Sequence, residues 1–513
     1  MTWSFCRANN REAEAVRASI DERPLPGFLL SWRTREGQPL VLSSVALVSV
    51  ACVAGVAIAC LGTAHLIIGV AAIALVTAVA LRPPVGVYLL IVVTPLVAGI
   101  DRGSMVPLLR PNELLDVIIG AGLVVGGLLR MRSGAIPQLR IKPVDRTILL
   151  VAVTSSIIPL AWMLLRGQTI ESDDLLYSVM VWKYYGVYLI ARMSVRTDKE
   201  IRNCLWLSMV AAAIVSIIAI LQSLNVSFVT GFLGKYYVDY GYAASVSEGR
   251  GGATLSLPIA VADLLTFNLA IAVGFLARSR SYRRVLVVMS VLFVIGVLSA
   301  GEFSGVIGLL LGIVVMAVVT HRARLVALLA PVLVVGALLL RSVVGARLSG
   351  FQSASGLPNS WSERWWALTT IFWPQLFSHG NFILGVRPAA RVATASRAAG
   401  YIWIESGYTW LLWAGGIPLL VAFMYFLWKN VHLNLAVARV ARDSTGVAAF
   451  AVVVALSVVG VLMIIDPHLT YRGSADLMFV LLGLATAGAE RTDVPNSSIS
   501  SSSLRAQPVA GAP

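Results

Sequence analysis

Residues 182–222 read "WKYYGVYLIARMSVRTDKEIRNCLWLSMVAAAIVSIIAILQ". Two apolar stretches flank a turn that carries Arg192, Arg196, Lys199 and Arg202. Each stretch, extended to its natural limits, is about 20 residues long, which a helix needs to cross roughly 30 Å of hydrocarbon. An apolar run, a basic turn and a second apolar run make the unit of a polytopic helical membrane protein, with the basic turn on the cytoplasmic side.

The pattern repeats outward in both directions. Of 513 residues, 58% are hydrophobic and 13% charged, and the mean hydropathy is +0.84. A soluble chain of this size cannot hide so much apolar surface, so the fold class expected is all-α and polytopic. A transmembrane β-barrel would show alternating segments of about ten residues, and none are visible. About fourteen crossings are expected, near 41–62, 65–82, 84–100, 113–130, 146–166, 175–193, 203–223, 255–276, 284–300, 304–320, 324–345, 407–428, 447–465 and 475–489.

The net charge of +15 sits in short gaps between these runs. It therefore orients the protein and does not mark a nucleic-acid surface, for which no basic-aromatic module is present. "RMRSGAIPQLRIKPVDR", "RSRSYRR", "HRAR" and "KNVHLNLAVARVARD" fall on the same side as the opening turn. Both termini are expected in the cytoplasm: a polar tail over 1–40 without the features of a cleaved signal, and a Ser/Pro/Ala-rich tail over 490–513 expected to be disordered. The transmembrane bundle spans 41–345 and 407–489, with outer loops near 224–254 and, longest, over 346–406. Cys6, Cys52, Cys60 and Cys204 avoid the outer loops, so no disulfide is expected. No repeat of fixed period is visible, which disfavours folds built from inverted repeats.

The long loop holds Arg347, Arg364, Arg387, Arg391 and Arg397 among Trp361, Trp365, Trp366, Trp373 and Trp403. External arginines run against the positive-inside bias. Their planar forks match phosphate oxygens, and tryptophan faces suit an interface or a sugar. Solvated arginines in an interfacial aromatic belt would look the same. "WSERWWALTTIFWPQ" has the pattern of an amphipathic helix lying along the outer leaflet, although packing alone explains its tryptophans equally. Arg250 in "SEGRGGATLSLP" stands among small residues that admit a ligand to the backbone, or simply form a flexible loop end. Lys183 and Asp263 each lie about 12 Å along their helices from the outer end. Buried charges at one depth are expected to pair with each other, as a structural bridge or an ion path. Glu302 falls in a tight outer turn. His65, His321, His379, His432 and His468 show no ligand spacing, and no phosphate-binding or dinucleotide-binding glycine loop occurs. No metal and no cofactor are expected.

Over roughly 84–485 the chain resembles the O-antigen ligase and polymerase superfamily. The resemblance rests on the opening segment, on "GRGGATLSLPIAVADLL", on "SAGEFSGVIGLLLGIVV", on "SERWWALTTIFWPQLFSHGNFILGV" and on "ESGYTWLLWAGGIPLL". It departs where Glu405 replaces the ligases' histidine, where Glu302 and Phe303 stand in a Ser-Arg-Gly turn, and where Arg387 interrupts Gly-x-Gly. The Glu405 departure tilts the reading from ligase to polymerase.

The resemblance implies a bacterial cytoplasmic (inner) membrane enzyme that acts on glycans linked to undecaprenyl diphosphate. The acceptor is a glycan or lipid, and a chain-length regulator is a further partner. Arg250 and Arg364, with Arg387 and Arg391, would face the diphosphate, and Glu405 would take the acceptor proton. Glu405 equally suits a helix N-terminus by its charge alone. Tyr408, one turn along on the same face, Trp365 and Lys183 would complete the substrate site. A secondary transporter centred on Lys183 and Asp263, and a non-catalytic envelope subunit, are the alternatives.

Overall fold

The computed structural model describes residues 69–104, 109–132, 141–237, 249–279, 281–321, 329–341, 359–394 and 400–492, with single positions 345, 349 and 351. The bundle belongs to residues 74–513, the larger of the two units into which the chain divides. Its helices are α1 (Pro83–Val97), α2 (Pro111–Arg132), α3 (Pro143–Ser155), α4 (Ile157–Leu165), α5 (Ser172–Ser194), α6 (Asp198–Ser223) and α7 (Ser227–Tyr236). There follow α8 (Pro258–Arg278), α9 (Arg283–Ala300), α10 (Phe303–Thr320) and α11 (Leu329–Leu339). The long loop holds α12 (Asn359–Ala367), α13 (Trp373–Phe377) and the short antiparallel pair β1 (Arg391–Ala393) and β2 (Tyr401–Trp403). The chain closes with α14 (Gly407–Val440), α15 (Ser444–Leu462) and α16 (Ser474–Thr492).

Among the described residues, eight spans are long and apolar enough to cross a membrane, counting α3 and α4 as one. Of the expected crossings, 41–62 lies outside the described residues, as do the tail 1–40, residues 493–513 of the other tail, Arg347 and Arg397; residues 490–492, expected to begin that tail, end α16 instead. The runs 65–82 and 84–100 form the shorter apolar helices Gly69–Leu81 and Pro83–Val97. Outward positions such as Val117, Val124, Val314, Val318 and Val421 are exposed and apolar, as helices facing lipid require. This is a multi-pass, all-α membrane fold.

Local chemistry sets the helix limits. At the basic turn, the Thr197 side chain accepts from Glu200 N–H at 3.2 Å, and Glu200 accepts from Thr197 N–H at 2.9 Å. This capping box starts α6 where the apolar period begins. The sequence ended one crossing at 428, but α14 runs on to Val440, with the Asn430 amide nitrogen held inside the bundle, donating to Thr147 Oγ1 at 2.9 Å. From Ala260 to Phe275 every residue of α8 is buried, so α8 is the central helix, with α6, α9, α10 and α15 packed round it.

One helix is broken. Gly416 takes φ 66° in the middle of α14, and a Cβ there would stand 2.3 Å from the Ile383 carbonyl oxygen. The loop segment 382–386 fills the break. Ile417 N–H donates to Phe382 O at 3.0 Å, and Val386 N–H donates to Trp413 O at 2.7 Å. Arg166 fastens the same segment from α4's end, donating to Asn381 Oδ1 at 2.5 Å and to Val386 O at 2.7 Å. The long loop is thereby locked to the bundle.

The expected amphipathic helix is present as α12, a single π-turn over Leu368–Phe372, and α13. Leu368, Phe372 and Leu376 face inward at i, i+4 and i+8, and Phe372 meets Trp413 edge-on at 5.3 Å. Trp365 and Trp366 remain 61% and 47% exposed, leaving flat apolar faces on the outside.

Candidate functional site

Three segments meet where the long loop joins the bundle. The start of α14 is stitched to the turn after α15: Tyr408 N–H donates to Met463 O at 3.1 Å, and the Ser406 hydroxyl donates to Ile464 O at 3.4 Å. That stitch sets Glu405, immediately after β2, beside Asp466 in the turn. Arg364 of α12 comes between them. Its Nη1 donates to Asp466 Oδ2 at 2.8 Å, and its Nε forms an ion pair with Glu405 Oε2 at 2.7 Å without hydrogen-bond alignment.

The two carboxylates differ sharply in exposure. The Glu405 side chain is 46% exposed and that of Asp466 3%. Burial pushes the Asp466 carboxyl up to about 6, against the pull of Arg364 and His468. Burial also works against the charge on Arg364, but Asp466 and Glu405 outweigh it and raise its pKa further above the ordinary arginine range.

Below Asp466 lies a second acid–base layer. His468 Nδ1 is 2.7 Å from Asp263 Oδ2, both side chains are almost wholly buried, and His468 Nε2 has no hydrogen-bond partner. The His468 ring meets Tyr471 edge-on at 5.2 Å. Burial raises the Tyr471 phenol well above its ordinary value, and Asp466 adds to the effect.

Arg250 stands on a fixed segment, not a flexible loop end. Gly251 N–H donates to Ser299 O at 3.0 Å, Ala253 N–H to Gln222 Oε1 at 2.7 Å, and the Thr254 hydroxyl to Pro95 O at 2.7 Å. Arg250 pairs with Glu302 at 3.2 Å, and Glu302 also acts electrostatically on Arg364. Arg250, Glu302, Arg364, Glu405 and Asp466 thus form one electrostatic neighbourhood.

The other expected site residues are placed differently. Arg387 makes a bidentate pair with Asp174, 3.0 Å from Nε and 2.6 Å from Nη2, and a third contact with Glu171 at 3.0 Å. Those hydrogen bonds raise its pKa beyond the ordinary arginine range. Arg391 binds Asp173 and lies over the Tyr401 ring at 4.1 Å. Both arginines pin the loop to the N-terminus of α5.

Two expectations are corrected. Tyr408 does not share a face with Glu405, because its hydroxyl donates to Gly460 O at 2.6 Å inside the α14–α15 contact. Lys183 does not pair with Asp263. Its Nζ lies 2.7 Å from Asp476 Oδ1 and 3.9 Å from Asp116 Oδ2, while Asp263 is taken by His468. Equal depth said nothing about the direction each side chain takes round its helix.

Asp466 and His468 are the site residues that sequence reasoning missed. The available signal was "IIDPHLTY", an acid, a proline and a histidine directly after an apolar run. No protein-family model, curated protein or solved structure matches the chain.

Proposed function

We propose that the chain is a metal-independent membrane glycosyltransferase that polymerises oligosaccharide repeat units carried on undecaprenyl diphosphate. The observation that carries this reading is Arg364, held between a buried carboxylate and an exposed one. Asp466 keeps the guanidinium in place from behind. A diphosphate approaching from the front would displace the weaker, solvent-facing partner, Glu405, and so free its carboxylate for the acceptor sugar.

In the reaction, the acceptor hydroxyl oxygen bonds to the donor's anomeric carbon as the bond from that carbon to the diphosphate oxygen breaks. The hydroxyl proton passes to Glu405, and the bonding electrons leave with the diphosphate. Charge grows on the leaving group, so Arg364 and Arg250 stabilise the transition state more than the ground state. The exposed faces of Trp365 and Trp366 suit the sugar or the lipid beside it. The basic gaps, which fall at the opposite end of the bundle, support an outer-face position for this site.

The test is a deletion strain complemented with wild type, Arg364→Ala or Glu405→Gln at matched membrane abundance, with lipid-linked and surface glycans resolved by size. Single repeat units left on the carrier in both mutants are the expected result. Long glycan that builds up on the carrier but is never transferred would make the protein a ligase. Unchanged pools would overturn the glycan reading.

A further inference from the structure

The glycan reading leaves α7 without a role. Local chemistry turns the chain sharply at its start. Asn225 takes φ 54°, its N–H donates to Gln222 O at 2.9 Å, and Val226 N–H donates to Leu221 O at 3.1 Å. These bonds end α6 and let the chain leave its axis. Had α7 continued along α6, Tyr237 would stand about 20 Å beyond Ser223. Instead the Tyr237 hydroxyl donates to Leu96 O at 2.7 Å, near the end of α1. Leu233 and Tyr237 pack on Ile100 and on Ile218, which lies inside α6. Helix α7 therefore lies across the ends of α1 and α6, level with the rim of their apolar spans.

A helix turns by about 100° per residue, which sorts α7 into flanks. Val229, Leu233 and Tyr237 face the bundle. Phe228, Phe232 and Tyr236 form a second flank, and all three are exposed, Phe228 to 82%. Ser227, Thr230 and Gly234 fall opposite the aromatics. Lys235 is exposed, with its ammonium 5.1 Å from the centre of the Tyr236 ring. A row of three exposed aromatic side chains is a face built to be covered. The lipid-facing stripe of α6, Val210, Ile214 and Ile217, runs through the exposed Leu224 and Val226 into this face. Continuity with that stripe makes lipid the covering partner.

We propose that α7 is an in-plane anchor whose aromatic flank sits in the interface of the lipid leaflet at the Arg250 end of the bundle. Its polar flank faces water, and Lys235 reaches the lipid phosphates. The Ser256 hydroxyl donates to Tyr237 O at 2.7 Å, so the anchor sets the height of the Arg250 segment against the leaflet. The inference is independent of the glycan reading, because it needs only a bilayer.

The experiment places an environment-sensitive fluorophore at Phe228→Cys, Phe232→Cys or Gly234→Cys in the full-length protein, reconstituted in vesicles of phosphatidylcholine and phosphatidylglycerol. Gly234 has room for the side chain, since a Cβ there meets nothing within 4 Å. Wild type treated alike gives the background from native cysteines. The quenchers are a lipid with a nitroxide just below its headgroup, and iodide supplied on both sides. The nitroxide is expected to quench the two phenylalanine positions several-fold more than Gly234, and iodide to show the reverse order. Equal iodide quenching at all three positions would show a wet face and overturn the proposal. Phenylalanine positions reached by neither quencher would show that protein covers the flank, and would overturn it as well.

Discussion

The long loop uses its arginines in two ways. Arg387 and Arg391 face the N-terminus of α5, where Glu171, Asp173 and Asp174 meet them in close contact. Arg364 faces one buried and one half-exposed carboxylate, with Arg250 and Glu302 nearby. In the first group Arg387 makes a bidentate pair with the fully buried Asp174, and Arg391 pairs with Asp173, which fastens a loop. In the second a single hydrogen bond to Asp466 holds the guanidinium from behind and the front partner, Glu405, is half-exposed, the arrangement on which the proposed ligand site rests. Identical residue types in one loop are thus separated by how the buried carboxylate holds them: Asp174 takes two donors of Arg387, whereas Asp466 takes one of Arg364.

The largest difference between the two groups is expected in turnover. Arg364→Ala should lower polymer formation by about 10² to 10³-fold, the usual cost of removing a donor aimed at developing charge. Glu405→Gln should lower it by about 10² to 10⁴-fold. Glu405→Gln should leave the amount of folded protein in the membrane near wild type; Arg364→Ala also strips the buried Asp466 of its partner, so output is compared per amount of folded protein, measured by quantitative blotting beside glycan sizing. Normal output from either variant would erase the distinction.

Arg387→Ala should act on stability instead. It leaves Asp174 buried without its bidentate partner, a loss of about 3–5 kcal/mol for a broken buried pair. Thermal unfolding should show it, and adding Asp174→Asn should recover part of the loss. If Arg387→Ala proved as stable as wild type while losing turnover, this arginine would belong with Arg364.

A smaller effect concerns pH. The Asp466 carboxyl rises from its usual 3.8 to about 6 in the folded protein, so the folded state holds a proton that the unfolded chain releases between those values. Its contribution to stability is complete at the acid end and is lost as pH rises through about 6. Asp466→Asn should flatten that part of the stability profile, measured by unfolding across pH 4 to 7. The smallest effect belongs to Glu171, which is 60% exposed: Glu171→Gln should change stability by about 0–1 kcal/mol, in line with a surface pair.

The spans were legible because hydrocarbon imposes both length and apolarity on a helix, and the loop arginines stood out by running against the charge bias. Arg364 and Glu405 were both named from sequence, and they meet. Asp466 was not, because its partner lies 102 residues away and only the stitch between α14 and the turn after α15 brings them together. Lys183 and Asp263 illustrate the limit in another form. Helical rise gives depth from sequence, but the direction of a side chain round the axis depends on which neighbours pack there. The extension of α14 past 428 was hidden for a related reason, since a buried asparagine looks like a loop residue until Thr147 is set against it.

The break at Gly416 carries a consequence for assembly. Ribosomes deliver residues 382–386 before α14, so this stretch must wait on the membrane surface until the helix that receives it has inserted. Until then, the Ile417 amide lacks the carbonyl that serves it in the finished fold, about 15 Å along the helix from Gly407. Docking of the loop and completion of α14 are therefore one event. A shift of even one residue between 377 and 386 puts the wrong amide opposite Trp413.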